Sequence, residues 1–397
     1  MTRQEAIAAD VAVPWLSIGA LIATLGAFAL NGGFLYPANA FKLDALGYST
    51  ATVGAVGAAG AFGYIVGSLG APFIAVRLGL RRAAIASLLG TAVLIFAFAV
   101  IPPVLAWYPL RFLHGITTTV LFVCGETALI AVAPEAQRGR IIGFYTAVNS
   151  LFFVLGPVAV GALGFQTLFP YVLVAGIVGL LALPMAALAR VTPEMPAVPW
   201  RQMVTSVSSI PALLGVVAIW GWLDGSMINL FGLYAVRRGV SASEAAFLFS
   251  LGPLGNAILQ FPIGWLADHV PRRSLLAGLT VAGGVLAALM PLMDFHGLLI
   301  VPYLIVLAAV GFGTFTVALI CLGDSLNGPA LVAANASFGL CWGIGTFAGS
   351  AITGGLMELV GASGFPLALT LGFLLQWLAA VVLPLPARRT VGLHAGN

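Results

Sequence analysis

Charge is what this sequence has least of. Of 397 residues only 7% are charged, 16 basic and 12 acidic, whereas a soluble domain carries about 25% because its surface must face water. So few charges could not coat a soluble chain of this length, and a hydrophobic content of 61% excludes a disordered one. Lysine is nearly absent, Lys42 standing alone among 15 arginines. No basic cluster is interleaved with aromatics as a nucleic-acid backbone requires, so no nucleic-acid partner is expected. Cysteine is scarce too. Cys124, Cys321 and Cys341 all sit in apolar runs, and the four histidines are scattered. They read as buried thiols rather than as a disulfide or a metal site. Also missing are the Gly-x-x-x-x-Gly-Lys-Ser/Thr loop that cradles phosphates, a His-Glu-x-x-His pair and a Ser-His-Asp arrangement. ATP drive, a cofactor and an enzymatic activity therefore have nothing to stand on. The first 14 residues hold no short apolar core before a cleavage site and do not read as a signal peptide.

What is present is apolar length. Sixty-one percent of 397 residues is about 242, and one membrane-spanning helix takes roughly 20, so there is material for about twelve spans. Apolar runs between charges and Pro/Gly breaks place them at 15–40, 50–76, 82–101, 106–133, 139–164, 167–189, 210–235, 244–267, 274–293, 298–322, 331–357 and 364–385. The sequence thus predicts an all-α membrane protein with 12 transmembrane helices in two six-helix bundles, 1–189 and 210–397. Between them 190–209 reads as a linker, since the stretch from Arg190 to Arg201 has three prolines and both charge signs. Alternate loops differ in charge. Twelve arginines, among them Arg3, Arg77, Arg81, Arg82, Arg138, Arg140, Arg272 and Arg273, face Lys42, Arg237 and Arg238. By the positive-inside rule both termini are expected in the cytoplasm of a bacterial inner membrane protein.

The second half repeats the first at an offset of 192 to 193 residues. Asn31-Gly32-Gly33 lies over Asp224-Gly225-Ser226, and Gly47-Tyr48-Ser49 over Gly239-Val240-Ser241. The stretch Ala75 to Arg81 lies over Ala267 to Arg273, and Gly125-Glu126-Thr127 over Gly323-Asp324-Ser325 with a few residues of slip. Two copies of six spans each form a parallel repeat, which places a site near the bilayer midplane between halves that rock.

These features resemble the major facilitator superfamily. Gly264-Trp265-Leu266-Ala267-Asp268-His269-Val270-Pro271-Arg272-Arg273 is similar to its loop motif, Gly-x-Leu-Ala-Asp-Arg-x-Gly-Arg-Arg. Arg111 followed by Gly115 resembles its fourth-helix arginine motif, and Gly156-Pro157 followed by Gly161 its fifth-helix exporter motif. The stretches Glu126 to Gly143, Gln260 to Arg273 and Gly323 to Gly345 look most like the YcaD branch. The resemblance implies a monomeric carrier with a cavity lined by the first, fourth, seventh and tenth helices. It also implies a cytoplasmic gate drawn from Gly264, Asp268, Arg272, Arg273 and Asp324, with Arg77 and Arg81 in the first half. Val76 stands where the motif has Asp and Pro271 where it has Gly, so the intact latch is expected on the second half.

Ionisable groups inside spans are costly unless paired or wetted. Arg111 and His114 share a helix face, and Glu126, about 22 Å further along the axis, returns near the same stripe. Two readings are open: a proton or anion path with Glu126 titrating, or a structural pair between Glu126 and Arg138, Arg140 or the Arg77–Arg82 loop. Asp224 sits mid-span with no basic residue within a helical turn, as a proton-exchanging carboxylate would; the alternative is an interface pair with Arg111. Around it Asn31, Tyr36, Asn39, Asn149, Trp222, Asn229, Asn256, Gln260, Asn335 and Trp342 are candidates for the substrate cavity or for interhelical hydrogen bonds. The glycine series Gly54, Gly57, Gly60, Gly63, Gly67 and Gly70 reads as helix packing. The expectation is a proton-coupled secondary transporter of a small molecule working by alternating access, leaning to export. An importer or facilitator is the alternative, and a non-transporting membrane sensor or assembly partner a more distant one.

Overall fold

A computed structural model of the chain describes residues 15–102, 105–134, 137–187, 210–326 and 328–382, without the side chains of 138, 139, 143, 328–333, 335 and 336. The expected linker at 190–209 and the Asn335 side chain lie outside the described residues. The chain is all helix there: α1 Trp15–Ala45, α2 Thr50–Leu78, α3 Leu80–Val100, α4 Trp107–Val132, α5 Arg138–Leu163, α6 Leu168–Leu180, α7 Pro211–Arg237, α8 Ala242–His269, α9 Arg272–Leu289, α10 Ile300–Ser325, α11 Gly328–Val360 and α12 Gly364–Val382. Eleven stretches of the described residues are long and apolar enough to cross a bilayer. The last of these, Ser337–Val382, takes in both α11 and α12, which meet at a 3-10 turn, Gly361–Ser363, and pack against each other.

Local chemistry explains most boundaries. At both tight turns between the first two helices of each half, a glycine with positive φ precedes a serine N-cap. Gly47 (φ 81°) leads to Ser49, whose hydroxyl accepts from the Thr52 amide at 3.2 Å. Gly239 (φ 99°) leads to Ser241, whose hydroxyl accepts from the Glu244 amide at 3.2 Å while the Glu244 carboxylate takes the Ser241 amide at 2.7 Å. These are the two copies of the sequence repeat, and they fold alike. The third repeat element does not. Gly79 caps α2 at φ 79°, whereas Pro271 caps the start of α9 at φ −53°, because proline's ring fixes φ near −65°.

Two boundaries depart from the apolar runs. Helix α1 continues through Lys42 and Asp44 to Ala45, because the Lys42 ammonium finds the carbonyls of Phe98 and Ala99 at 3.1 and 3.3 Å. Those are last-turn carbonyls of α3, which have no intrahelical partner and carry the negative end of the helix dipole. The expected sixth span is present as Leu168–Ala186, but its helix is interrupted: α6 stops at Leu180 and a short helix, Ala182–Ala187, continues. Pro184 lacks an amide hydrogen and its ring crowds the carbonyl four residues back, at Leu180.

The halves are pseudo-symmetric in their packing. In the first, α2 packs on α4 and α1 on α5; in the second, α8 on α10 and α7 on α11. A side chain on Gly63 of α2 would run into the Phe112 carbonyl of α4, and one on Gly255 of α8, 192 residues on, into the Ile305 carbonyl of α10. Across the halves, α2 lies along α11, α5 along α8, and α1 and α2 against α7, while α4 and α10 make no comparable contact.

Candidate functional site

Between the halves, at mid-span, lies a cavity of about 260 Å³. The first half contributes Phe28, Asn31, Gly32 and Tyr36 from α1, His114 and Thr118 from α4, and Asn149, Ser150 and Phe153 from α5. The second contributes Asp224 and Ile228 from α7, Pro253 and Asn256 from α8, Phe312 from α10 and Trp342 from α11. Asp224 is the one formally charged side chain among them. Its Oδ2 accepts a hydrogen bond from the Trp342 indole at 3.0 Å, so a residue of α11 positions the carboxylate of α7. No basic side chain is within ion-pair distance of it among the described residues.

On the opposite wall a buried chain runs Arg111, His114, Asn31. Arg111 Nη1 donates to His114 Nδ1 at 3.1 Å, and His114 Nε2 meets Asn31 Oδ1 at 3.0 Å. A guanidinium only donates. Nδ1 must therefore be the acceptor, which leaves the proton on Nε2 and the imidazole neutral, donating to Asn31. All three residues are buried. The guanidinium lies 4.2 Å from the centre of the Tyr36 ring and rests in the recess left by Gly60, where a Cβ would come within 2.9 Å of Arg111 Cγ and Nε. Arg111 thus stands behind Tyr36 and His114, lining two smaller voids rather than the central cavity.

The remaining candidates divide. Asn31, Tyr36, Asn149, Asn256 and Trp342 line the cavity; Asn39, Trp222, Asn229 and Gln260 are not among its lining residues. Asn229 bonds to the Gly225 carbonyl and Ser350 hydroxyl, both at 3.0 Å, and Trp222 to the Thr353 hydroxyl at 3.4 Å, so both join α7 to α11. Gln260 accepts from Thr316 at 2.6 Å and donates to Asn256, whose carbonyl it holds at the cavity edge. Asn39 is buried beside a small void with neither side-chain atom partnered by protein. Glu126 does not continue the Arg111–His114 chain. Its electrostatic neighbours are the hydroxyls of Tyr145 and Tyr64, and it makes no salt bridge with Arg77, Arg82 or Arg140 among the described residues.

The sequence points to most of the polar lining but not to Thr118 or Ser150. These are hydroxyls of a kind that helices commonly bond back on themselves, as Thr118 does to the His114 and Gly115 carbonyls. Nor does it point to the apolar Phe28, Phe153, Ile228, Pro253 and Phe312. An apolar side chain facing a cavity has the same sequence signature as one facing lipid, so no signal was there to find.

The cavity is closed at the end carrying the 46–49 and 238–241 turns. Gly54 of α2 packs backbone to backbone on Ser350 and Gly354 of α11. Thr50 donates to Glu358 at 3.1 Å, and Ser243 of α8 to the Gly161 carbonyl of α5 at 2.7 Å. Phe41 of α1 fills the space beside Gly232 of α7. At the other end the motif residues bind within the second half. Arg272 reaches Asp324 of α10 at 3.0 Å and, more loosely, Asp268 of α8 at 3.7 Å, and Arg273 bonds the Val381 carbonyl of α12. In the first half Arg81 bonds the Ala186 carbonyl at 2.7 Å and Arg77 lies over the Phe73 ring at 4.1 Å. Val76, in the acid's place, is exposed. Gly264 has open space around it.

A pseudo-repeat of apolar helices long enough to span a bilayer, with a cavity between its halves at mid-span, is the architecture of a secondary transporter. The family model of the Major Facilitator Superfamily matches residues 16–241, more than half of the chain, and the chain belongs to that superfamily. It is a multi-pass membrane transporter. Within the superfamily it is similar to the MFS-type transporter YcaD of Salmonella arizonae, 28% identical over 352 residues, covering 87% of this chain and 89% of the relative. It is also similar to YfkF of Bacillus subtilis, 26% identical over 300 residues, covering 72% and 75%. Among solved structures the fold matches the nucleoside transporter NupG (TM-score 0.78, 13% identity, 92% and 98% covered). It also matches a bacterial homologue of the human lysosomal transporter Spinster in an inward-facing state (TM-score 0.71, 14% identity, 94% and 96% covered).

Proposed function

We propose that this chain is a proton-coupled secondary transporter of a small molecule, exchanging protons for cargo at Asp224 and working as an exporter. The observation that carries the reading is the position of Asp224: a mid-membrane carboxylate, without a basic partner, on the wall of a cavity that both halves build. A carboxylate so placed is paid for only if the group has a task, since an ionisable side chain in a membrane span is costly. Alternating access follows by rocking the halves, residues 1–189 against 210–397, about the cavity, with 190–209 as linker. The closures at one end describe one of the two states. By the arginine bias that closed end is periplasmic, both termini are cytoplasmic, and the state is inward-facing in the inner membrane. In this reading Glu126, with Tyr145 and Tyr64 as neighbours, passes protons between the cavity and the cytoplasmic end. The protein works as a monomer. The direction rests on the resemblance of Gly156-Pro157 and Gly161 of α5 to the exporter motif; Gly156 and Pro157 pack on Gly33 of α1, and Gly161 on Ser243 of α8.

The test uses purified protein in liposomes holding a pH-sensitive dye, with a panel of metabolites and drugs. Cargo-dependent proton movement in the wild type and its loss in Asp224→Asn is the expected result. Cargo movement without proton flux, unchanged in Asp224→Asn, would make the protein a facilitator and Asp224 an interface residue.

A further inference from the structure

We propose that the cargo is a small monovalent organic cation, an amine with at least one N–H on a flat apolar body, with its ammonium at Asp224. This deepens the transport reading and rests on Asp224 being reached from the cavity.

Charge is the first argument. Among the described lining residues Asp224 alone is formally charged, and the imidazole on the facing wall is held neutral because its Nδ1 accepts from Arg111. The nearby guanidinium that an anionic cargo would need is taken up by His114 and by the Tyr36 ring at 4.2 Å. It does not line the cavity.

Unfilled bonding is the second. Asp224 Oδ2 takes the Trp342 N–H at 3.0 Å, and no described donor reaches Oδ1. A carboxylate oxygen on the cavity wall that no described protein donor reaches calls for a ligand that donates.

Shape is the third. Phe28, Tyr36, Phe153, Phe312 and Trp342 give the cavity aromatic walls. These favour a flat apolar body and, through their π faces, a cation beside it. At about 260 Å³ the space falls below the roughly 300–1,000 Å³ that hold drug-sized ligands, so the body is of one ring rather than several. Proton and cargo then compete for one carboxylate, and protonation of Asp224 releases the ammonium. Asp224, His114 and Tyr36 are the titratable groups on the cavity wall, Arg111 stands behind the last two, and Glu126 lies further along α4.

The experiment measures binding to purified full-length protein in detergent with three probes of the same carbon skeleton: 2-phenylethylammonium, 2-phenylethanol and phenylacetate. We expect the amine to bind at least tenfold more tightly than the alcohol or the carboxylate. Its affinity should fall at least tenfold in Asp224→Asn, stay within a few-fold in Asp224→Glu, and survive in Trp342→Phe, which keeps the carboxylate. Equal binding of the alcohol, preference for the carboxylate, or no binding of the amine overturns the cargo class, and this comparison needs no variant. The same probes in dye-loaded liposomes separate the two claims. Proton flux with the alcohol or carboxylate but not the amine overturns the cargo class and leaves coupling standing. Amine movement that depends on Asp224 but carries no protons keeps the cargo class and removes the coupling.

Discussion

Gly60 of α2 and Arg111 of α4 fit as recess and occupant: a Cβ on Gly60 would lie 2.9 Å from both Cγ and Nε of the arginine. The missing side chain on one helix is what lets the guanidinium lie flat behind Tyr36 and reach His114. Gly60→Val should push Arg111 out of this position and break its bond to His114. We expect a loss of about 1–3 kcal/mol, the range for overpacking a well-packed site. It would be read as a lower melting temperature in detergent. Gly264→Ala, where no atom lies within 4 Å, should leave it unchanged or slightly higher.

His114 is the middle of a three-residue chain, so its removal strands groups on both sides. His114→Leu leaves an Arg111 donor and the Asn31 acceptor buried and unpaired, at a cost of about 1–3 kcal/mol. Because Asn31→Leu disrupts the same chain, the double variant should be less destabilised than the sum of the singles. A double-mutant cycle measures that coupling. Additive losses would show that the chain is not a unit.

Closure on the Gly54 side depends on two backbones meeting. Gly54→Leu should hold α2 off α11 and shift the protein toward the state open at that end. In a cysteine-free background carrying Ile228→Cys on the cavity wall, a membrane-impermeant maleimide applied from that side should label several-fold faster when Gly54→Leu is added. An unchanged labelling rate would mean that the contact does not close the cavity.

At the other end Arg272 has one close acid and one distant one. Asp324 lies at 3.0 Å and is partly buried, whereas Asp268 lies at 3.7 Å and is 72% exposed. Exposed pairs contribute about 0–1 kcal/mol. Asp268→Asn should therefore change transport rate little, Asp324→Asn should lower it several-fold, and the exchange Arg272→Asp with Asp324→Arg should recover part of the loss.

Helix placement was legible because a bilayer demands about 20 apolar residues per crossing, and this chain supplies them in uniform runs. The repeat was legible where a turn has a strict local code, as at Gly47–Ser49 and Gly239–Ser241. What escaped was decided between helices. Lys42 extends α1 only because α3 ends beside it, and Pro184 breaks a run that is apolar throughout. Arg111 and His114, three residues apart, do bond each other. Glu126 keeps the same helical phase yet meets tyrosines, one of them on α5, since phase says nothing of what the next helix brings. Asn229 and Trp222 look like Asp224 in sequence, polar or amphipathic and mid-span, but they face α11. One turn of a helix decides between lining a cavity and tying two helices together.

The meeting of Gly54 with Ser350 and Gly354 has a consequence for energetics. Besides this backbone contact the seal holds the Thr50–Glu358 and Ser243–Gly161 hydrogen bonds and the Phe41 ring, and among the described residues no ion pair has to be stripped apart there, so a modest free energy separates sealed from unsealed. A difference of about 1.4 kcal/mol already moves such an equilibrium tenfold, which is the scale of one proton or one ligand gained. The seam is a lightly weighted balance, and events at mid-membrane have leverage over it that they would lack over a charged lock.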